Sequence, residues 1–128
     1  DEGYVYCVRQ FRYPIAEHLL EVPAGKLEKE EEPLQCAERE LSEETGIIAD
    51  EYVYLGKFYP SPGFCREVLY IYMARGLSFG KPHPDHNEFL DVEKIHIDEL
   101  EKRVMENEIT DGKTVIAVLK AKKILSEK

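Results

Sequence analysis

Cysteine is scarce in this sequence: Cys7, Cys36 and Cys65 are the only three, an odd number with no Cys-x-x-Cys spacing. That excludes a disulfide framework and a zinc-ribbon type of site, and makes a reducing cytoplasm the expected compartment. Positive charge is also in short supply, with 17 Lys and Arg against 26 Asp and Glu, a formal net charge of -9. Nucleic-acid affinity depends on lysines and arginines displacing counterions from a polyanion, so this balance argues against such a partner. An anionic partner would need a cation between itself and the protein. Long apolar runs are missing as well: none approaches the roughly 18 residues of a membrane span, and the acidic start carries no signal-peptide pattern. No membrane association is expected.

What is present is a chain of 128 residues, 43% hydrophobic, enough to bury one core and leaving little room for a second. A single domain over residues 1–128 is the expectation. The first residue is Asp1 and a strand pattern begins already at Tyr4, so a leading segment is expected to be missing.

Alternation and β-branched or aromatic content predict strands over residues 4–11, 18–22, 52–59, 67–74 and 89–97. Pro60-Ser61-Pro62-Gly63 excludes regular pairing and predicts a rigid loop. A helix is predicted over 33–45, with Pro33 in its first turn, Leu34, Ala37 and Leu41 on its core face, and Gly46 closing it. Asp98 with Glu101 resembles a capping box for a helix running to about residue 107. The last helix, over 112–126, places Val115, Val118, Leu119 and Lys122 near one face. Strands mixed with three helices give an α/β or α+β sandwich.

The chemistry gathers on the first helix. At 100° per residue, Glu40 and Glu44 lie one turn apart and Glu43 borders the same arc. Three carboxylates beside an apolar stripe repel one another, and partial burial worsens the repulsion unless hard cations bridge them. Mg²⁺ or Mn²⁺ would resolve the conflict. Arg39, one turn before Glu43, is expected to pair with it and leave Glu40 and Glu44 to the metal. The bland alternative, a solvated acidic face, suits a lone Glu-x-x-Glu-Glu pattern better.

The flanks decide between them. Gly25, Glu31, Arg39-Glu40-Leu41, Glu43-Glu44 and Gly46-Ile47 resemble the Nudix box at every specified position, without a gap. Pro62, fifteen positions after Ile47, resembles the signature of the ADP-ribose pyrophosphatase subfamily. Arg9-Gln10-Phe11-Arg12-Tyr13-Pro14, Leu20-Glu21-Val22-Pro23-Ala24-Gly25 and Glu106-Asn107-Glu108-Ile109-Thr110-Asp111 are similar to that subfamily too, so the resemblance covers essentially the whole chain.

It implies an α/β/α sandwich with a mixed β-sheet, in which a loop, helix and loop hold divalent cations against a substrate diphosphate for attack by water. Glu40, Glu44 and the backbone carbonyl of Ala24 would then be metal ligands, supported by Glu31, Glu43 and Arg39. The general base would lie on a loop matching Asp85-His86-Asn87-Glu88; Glu88, which could also reach the metal, comes first, with Asp85 and His86 open. Arg12 and Glu21 would bind substrate, although an arginine ending a strand is often a plain surface charge. Glu67 could meet a ribose hydroxyl or be a strand-edge charge, while Pro62 and Gly63 would shape the pocket. His18, His83 and His96 show no zinc spacing, and Cys36 and Cys65 read as packing residues near the site.

The expected activity is Mg²⁺-dependent hydrolysis of ADP-ribose to AMP and ribose 5-phosphate, Mn²⁺ being an alternative ion. One rival is another nucleotide sugar, such as GDP-mannose, or a dinucleotide. A second is a Nudix-like module that senses nucleotide without cutting it, and a third is an acidic Ca²⁺-binding domain, which the absence of an EF-hand loop disfavours. The subfamily further implies a homodimer that recognises adenine partly through an N-terminal segment of its neighbour, a segment this sequence is expected to lack.

Overall fold

A computed structural model describes residues 1–82 and 91–127. Strand β1 (Tyr4–Arg12) is followed by a short 3-10 turn (Tyr13–Ile15) and β2 (Glu17–Glu21), then helix α1 (Pro33–Thr45). Strands β3 (Ile47–Phe58), β4 (Leu69–Phe79) and β5 (Asp91–His96) lead to helices α2 (Ile97–Met105) and α3 (Gly112–Ser126).

The strands form two sheets, one ordered β2-β1-β5 and the other the hairpin β3-β4. All three pairings are antiparallel. The α/β class expected from the sequence holds, whereas its mixed sheet is replaced by antiparallel pairing among the described residues.

One core cluster joins β1, β2 and β5 to α2 and α3 through Cys7, Leu20, Ile95, Leu100, Val104 and Val118. A second joins the hairpin to α3 through Leu55, Ile71 and Ala117. Helix α3 therefore serves both cores, which calls for apolar side chains on more than one side. Its buried positions are Thr114, Ala117 and Val118, and Leu119, which the sequence places near one face with Val118, is exposed.

Helix α1 follows its predicted bounds, with Pro33 in the first turn and the Glu32 N–H donating to Gln35 Oε1 at 3.1 Å. Gly46 closes it at φ 76. A Cβ at Gly46 would stand 2.4 Å from the carbonyl oxygen of Gly80, so both the dihedral and the close approach require glycine.

The hairpin strands run further than alternation suggested, because pairing continues from Glu51 with Arg75 to Ile47 with Phe79. This end of the two-stranded ribbon is exposed at Ile48, Asp50 and Glu51, so polar residues are tolerated there. The cap of α2 also differs: His96 Nδ1 accepts from the Asp98 N–H at 3.1 Å, while Asp98 pairs with Lys122 of α3 at 2.6 Å. An imidazole lone pair replaces the expected Asp98–Glu101 box. No helix among the described residues is long and apolar enough to cross a membrane.

Candidate active site

Beyond β2 the chain turns through Val22, Pro23, Ala24 and Gly25 and passes under α1. The Ala24 N–H donates to Glu44 Oε2 at 3.1 Å, and Cys36 Sγ lies 3.7 Å from the Gly25 carbonyl, to which its thiol donates. A Cβ on Gly25 would sit 2.0 Å from the carboxyl carbon of Glu40, so a side chain there would displace that carboxylate. The turn and the acidic face of the helix are thus packed against each other.

Glu44 is 5% exposed and Leu34 is 37% exposed, so Leu34 departs from the sequence expectation of a core-facing stripe, while Ala37 and Leu41 are half-buried. Ala37 and Leu41 line a cavity of about 960 Å³, together with Ala24, Gly25, Glu40 and Glu67 among others. A carboxylate this buried requires compensating partners, and Glu44 meets a backbone N–H at the turn.

Arg39 organises the rest. Its guanidinium donates twice to Glu31, at 2.8 and 3.1 Å, and to Glu40 Oε1 at 2.7 Å, Glu43 Oε2 at 3.2 Å and the Lys26 carbonyl at 3.0 Å. Glu28 lies at 3.2 Å from its Nε. The expected Arg39–Glu43 pair is present, but Arg39 does not leave Glu40 aside: it holds Glu40 more closely than Glu43, and Glu31 is its principal partner. The hydrogen bonds from Arg39 hold the Glu31 carboxyl down at about 2, aided by the Glu28 backbone N–H. The same pairing with Glu31 raises the Arg39 guanidinium above its ordinary value. Burial pushes the Cys36 thiol up to about 11, and the charge of Glu31 pushes in the same direction.

The donors on offer, carboxylates of Glu40, Glu43 and Glu44 with a backbone carbonyl at Ala24, are hard oxygen ligands of the type that suits Mg²⁺, Mn²⁺ or Ca²⁺. Glu28, Glu31, Glu40 and Glu43 share the Arg39 guanidinium, with Glu44 buried beside them. The residues therefore fit a divalent ion in chemical type. Among the described residues, no three acidic, histidine or cysteine side chains converge as a preformed cage.

Arg12 and Glu21, both expected at the substrate, are joined to each other. Arg12 donates to Glu21 through two nitrogens, at 2.7 and 2.5 Å, which raises the guanidinium above its ordinary value. Glu21 is 1% exposed and also receives Lys113 Nζ at 2.8 Å. Sequence reasoning missed Lys113, along with Thr114 and Asp111 beside it. The spacing of Asp111 and Thr114 at the start of a helix is a capping signal that could have found two of them.

Glu67 lines the cavity, whereas Pro62 and Gly63 lie on the exposed loop before it, with nothing within 4 Å of a Cβ at Gly63. Cys65 is exposed, against the expectation of a packing residue, while Cys7 and Cys36 are buried. Asp85, His86 and Glu88, the candidates for general base, and His83 lie outside the described residues.

The NUDIX domain family model matches residues 1–116, and the chain belongs to the Nudix family. It is 42% identical over 120 residues to the ADP-ribose pyrophosphatase of Bacillus subtilis (strain 168), and likewise 42% identical over 120 residues to the methanol dehydrogenase activator of Bacillus methanolicus. Each alignment covers 92% of this chain and 65% of the relative, so the chain spans just under two thirds of their length. A solved structure of an ADP compounds hydrolase matches with a TM-score of 0.89 at 19% identity, covering 99% of this chain and 69% of that one. That likeness is one of fold.

Proposed function

We propose that this chain carries the active site of a divalent-metal-dependent pyrophosphohydrolase that cuts ADP-ribose into AMP and ribose 5-phosphate. The observation behind this reading is the packing of residues 24 and 25 against Glu44 and Glu40, next to a cavity of about 960 Å³. Similarity to a relative named ADP-ribose pyrophosphatase supports the choice of substrate.

Nudix hydrolases generally use a divalent metal, and Mg²⁺, with Mn²⁺ as substitute, is the proposed ion. Glu40, Glu44 and the Ala24 carbonyl would hold it, with Glu43 and Arg39 orienting the carboxylates. When bound, such an ion neutralises diphosphate oxygens and makes a coordinated water more acidic. Arg39 keeps Glu40 and Glu43 on a common donor, and Glu31 keeps Arg39 in place. Glu67 would meet the sugar, and Arg12, tethered by Glu21, would offer its remaining N–H groups to a phosphate. Glu88, with Asp85 and His86 as rivals, would take the proton from the attacking water. The proposal includes a cytoplasmic homodimer.

Another nucleotide sugar or a dinucleotide would need the same diphosphate chemistry. Because one relative at equal identity is named an activator of another enzyme, substrate choice is tested on a panel. Turnover of ADP-ribose, GDP-mannose and dinucleotides is measured with Mg²⁺, and AMP and ribose 5-phosphate are identified as products. Glu44→Gln is expected to lower kcat/KM for the preferred substrate by roughly 100-fold or more. Full turnover by that variant would refute the reading.

A further inference from the structure

The start of α3 reaches across the molecule to the turn that precedes the acidic helix. Thr114 is wholly buried, at 0% exposure. Its hydroxyl donates to Asp111 Oδ2 at 2.6 Å and accepts the Val22 N–H at 3.0 Å. Asp111, the N-cap of α3, also receives the Thr114 N–H at 3.3 Å and Lys113 Nζ at 2.9 Å. Lys113 in turn holds Glu21 at 2.8 Å. Two consecutive residues, Glu21 and Val22, are therefore tied to one turn of α3, the first by charge and the second by a single hydroxyl.

The position of that hydroxyl gives it leverage. Val22 is two residues before Ala24, whose N–H reaches Glu44, and three before Gly25, which abuts Glu40. Proline occupies position 23, fixing one φ and leaving that residue no N–H to donate. With Pro23 stiffening the link between them, a displacement at Val22 is transmitted to the turn instead of being absorbed. Both capacities of the threonine oxygen are used at once, so a group of the same shape without a hydroxyl would leave the half-buried Val22 N–H without this acceptor and remove a donor from Asp111.

We propose that Thr114 is a positioning residue: its hydroxyl sets residues 22–25 against the carboxylates of Glu40 and Glu44. This rests on the proposed function in so far as those carboxylates hold a metal. The test compares Thr114→Val, which preserves volume and branching, with Thr114→Ser, which preserves the hydroxyl. Backbone amide hydrogen exchange is followed in the metal-free proteins, and Mn²⁺ binding is measured by calorimetry without substrate.

The valine variant is expected to speed exchange at the amides of Val22 and Ala24 by about tenfold, with Leu100 in the α2 core unchanged, and to weaken Mn²⁺ binding by about tenfold. The serine variant should stay within about twofold of wild type on both. Unchanged exchange in the valine variant, exchange raised equally throughout the chain, or failure of serine to restore either quantity would overturn the proposal. A wild-type chain that binds no Mn²⁺ defeats the proposed function instead, and the local exchange pattern then decides alone whether Thr114 holds the turn.

Discussion

Gly25 and Glu40 share a space that admits only one of them as a side chain: a Cβ on Gly25 would lie 2.0 Å from the Glu40 carboxyl carbon and 2.1 Å from Oε1. The constraint is steric, because what limits position 25 is the carboxylate facing it. Gly25→Ala must push Glu40 away or bend the turn, and either movement separates Glu40 from Ala24 and Glu44. The expected outcome is a folded protein of nearly unchanged stability, because only the far end of a flexible side chain has to move, whose kcat/KM falls by about 100-fold, the effect of misplacing a catalytic group by an ångström. Circular dichroism against denaturant and steady-state kinetics measure the two effects separately.

Arg39 should behave as an internal counterion. It bonds Glu31, Glu40 and Glu43 together, so Arg39→Gln leaves their charges facing one another. Thermal unfolding in chelator is expected to show a loss of about 1–3 kcal/mol, the usual scale when charged hydrogen bonds lose one partner. Millimolar Mn²⁺ should narrow that deficit, since a cation at the carboxylates relieves the same repulsion. A deficit that stays equal with and without metal would separate the arginine's role from the acids.

This contact also shows where the sequence was readable and where it was not. The spacing of residues 33–46 predicted α1 to the residue, because proline, helical period and a left-handed glycine all act locally. The acidic cluster was visible for the same reason. Its neutralisation was not: helical geometry pairs Arg39 with Glu43 one turn on, yet the principal partner is Glu31, in the loop before the helix, and the turn around Lys26 completes the set. Partners of Glu21 and Val22 come from α3, 92 residues away, and no periodicity encodes that. The exposure of Leu34 and the burial of Glu44 depend in the same way on which elements pack where.

Acid sensitivity follows from the Glu31 carboxyl, held at about 2 against an ordinary value of 4.5. Its folded pKa is depressed, so the native state is favoured by this group above pH 4.5, and the contribution disappears as pH falls toward 2. Glu31→Gln should therefore be less stable than wild type at neutral pH, with the two converging between pH 4.5 and 2. Urea midpoints at several pH values compare them. A gap that is constant across that window would assign the effect of the mutation to lost shape, with no part for charge.

The cap of α2 is testable by exchanging one acceptor for another. His96 Nδ1 accepts the Asp98 N–H, a role that asparagine fills well and alanine cannot. His96→Ala is expected to cost about 1 kcal/mol, and His96→Asn a smaller amount, the remainder reflecting lost edge contact with Tyr4, whose ring centroid is 5.1 Å away. Equal losses in the two variants would assign the whole effect to that aromatic contact.

Thiol chemistry can report on the turn that faces the acids. Cys65 is exposed, whereas Cys7 and Cys36 are buried, and burial raises their thiols to about 12 and about 11. Near pH 8 a thiol-specific reagent should modify Cys65 quickly in the native protein and all three cysteines once it is unfolded, because the thiolate is the reacting form. Cys36 is the informative one, since its thiol is engaged with the Gly25 carbonyl and reacts only when the turn lifts from α1. Mn²⁺ bound between Ala24 and the carboxylates would hold the turn down, so it should slow Cys36 modification and leave Cys7 unaffected. In a Cys65→Ser background, the two remaining rates are measured with and without metal. Equal slowing of both would indicate general stabilisation of the fold, while slowing confined to Cys36 would locate the ion at the turn.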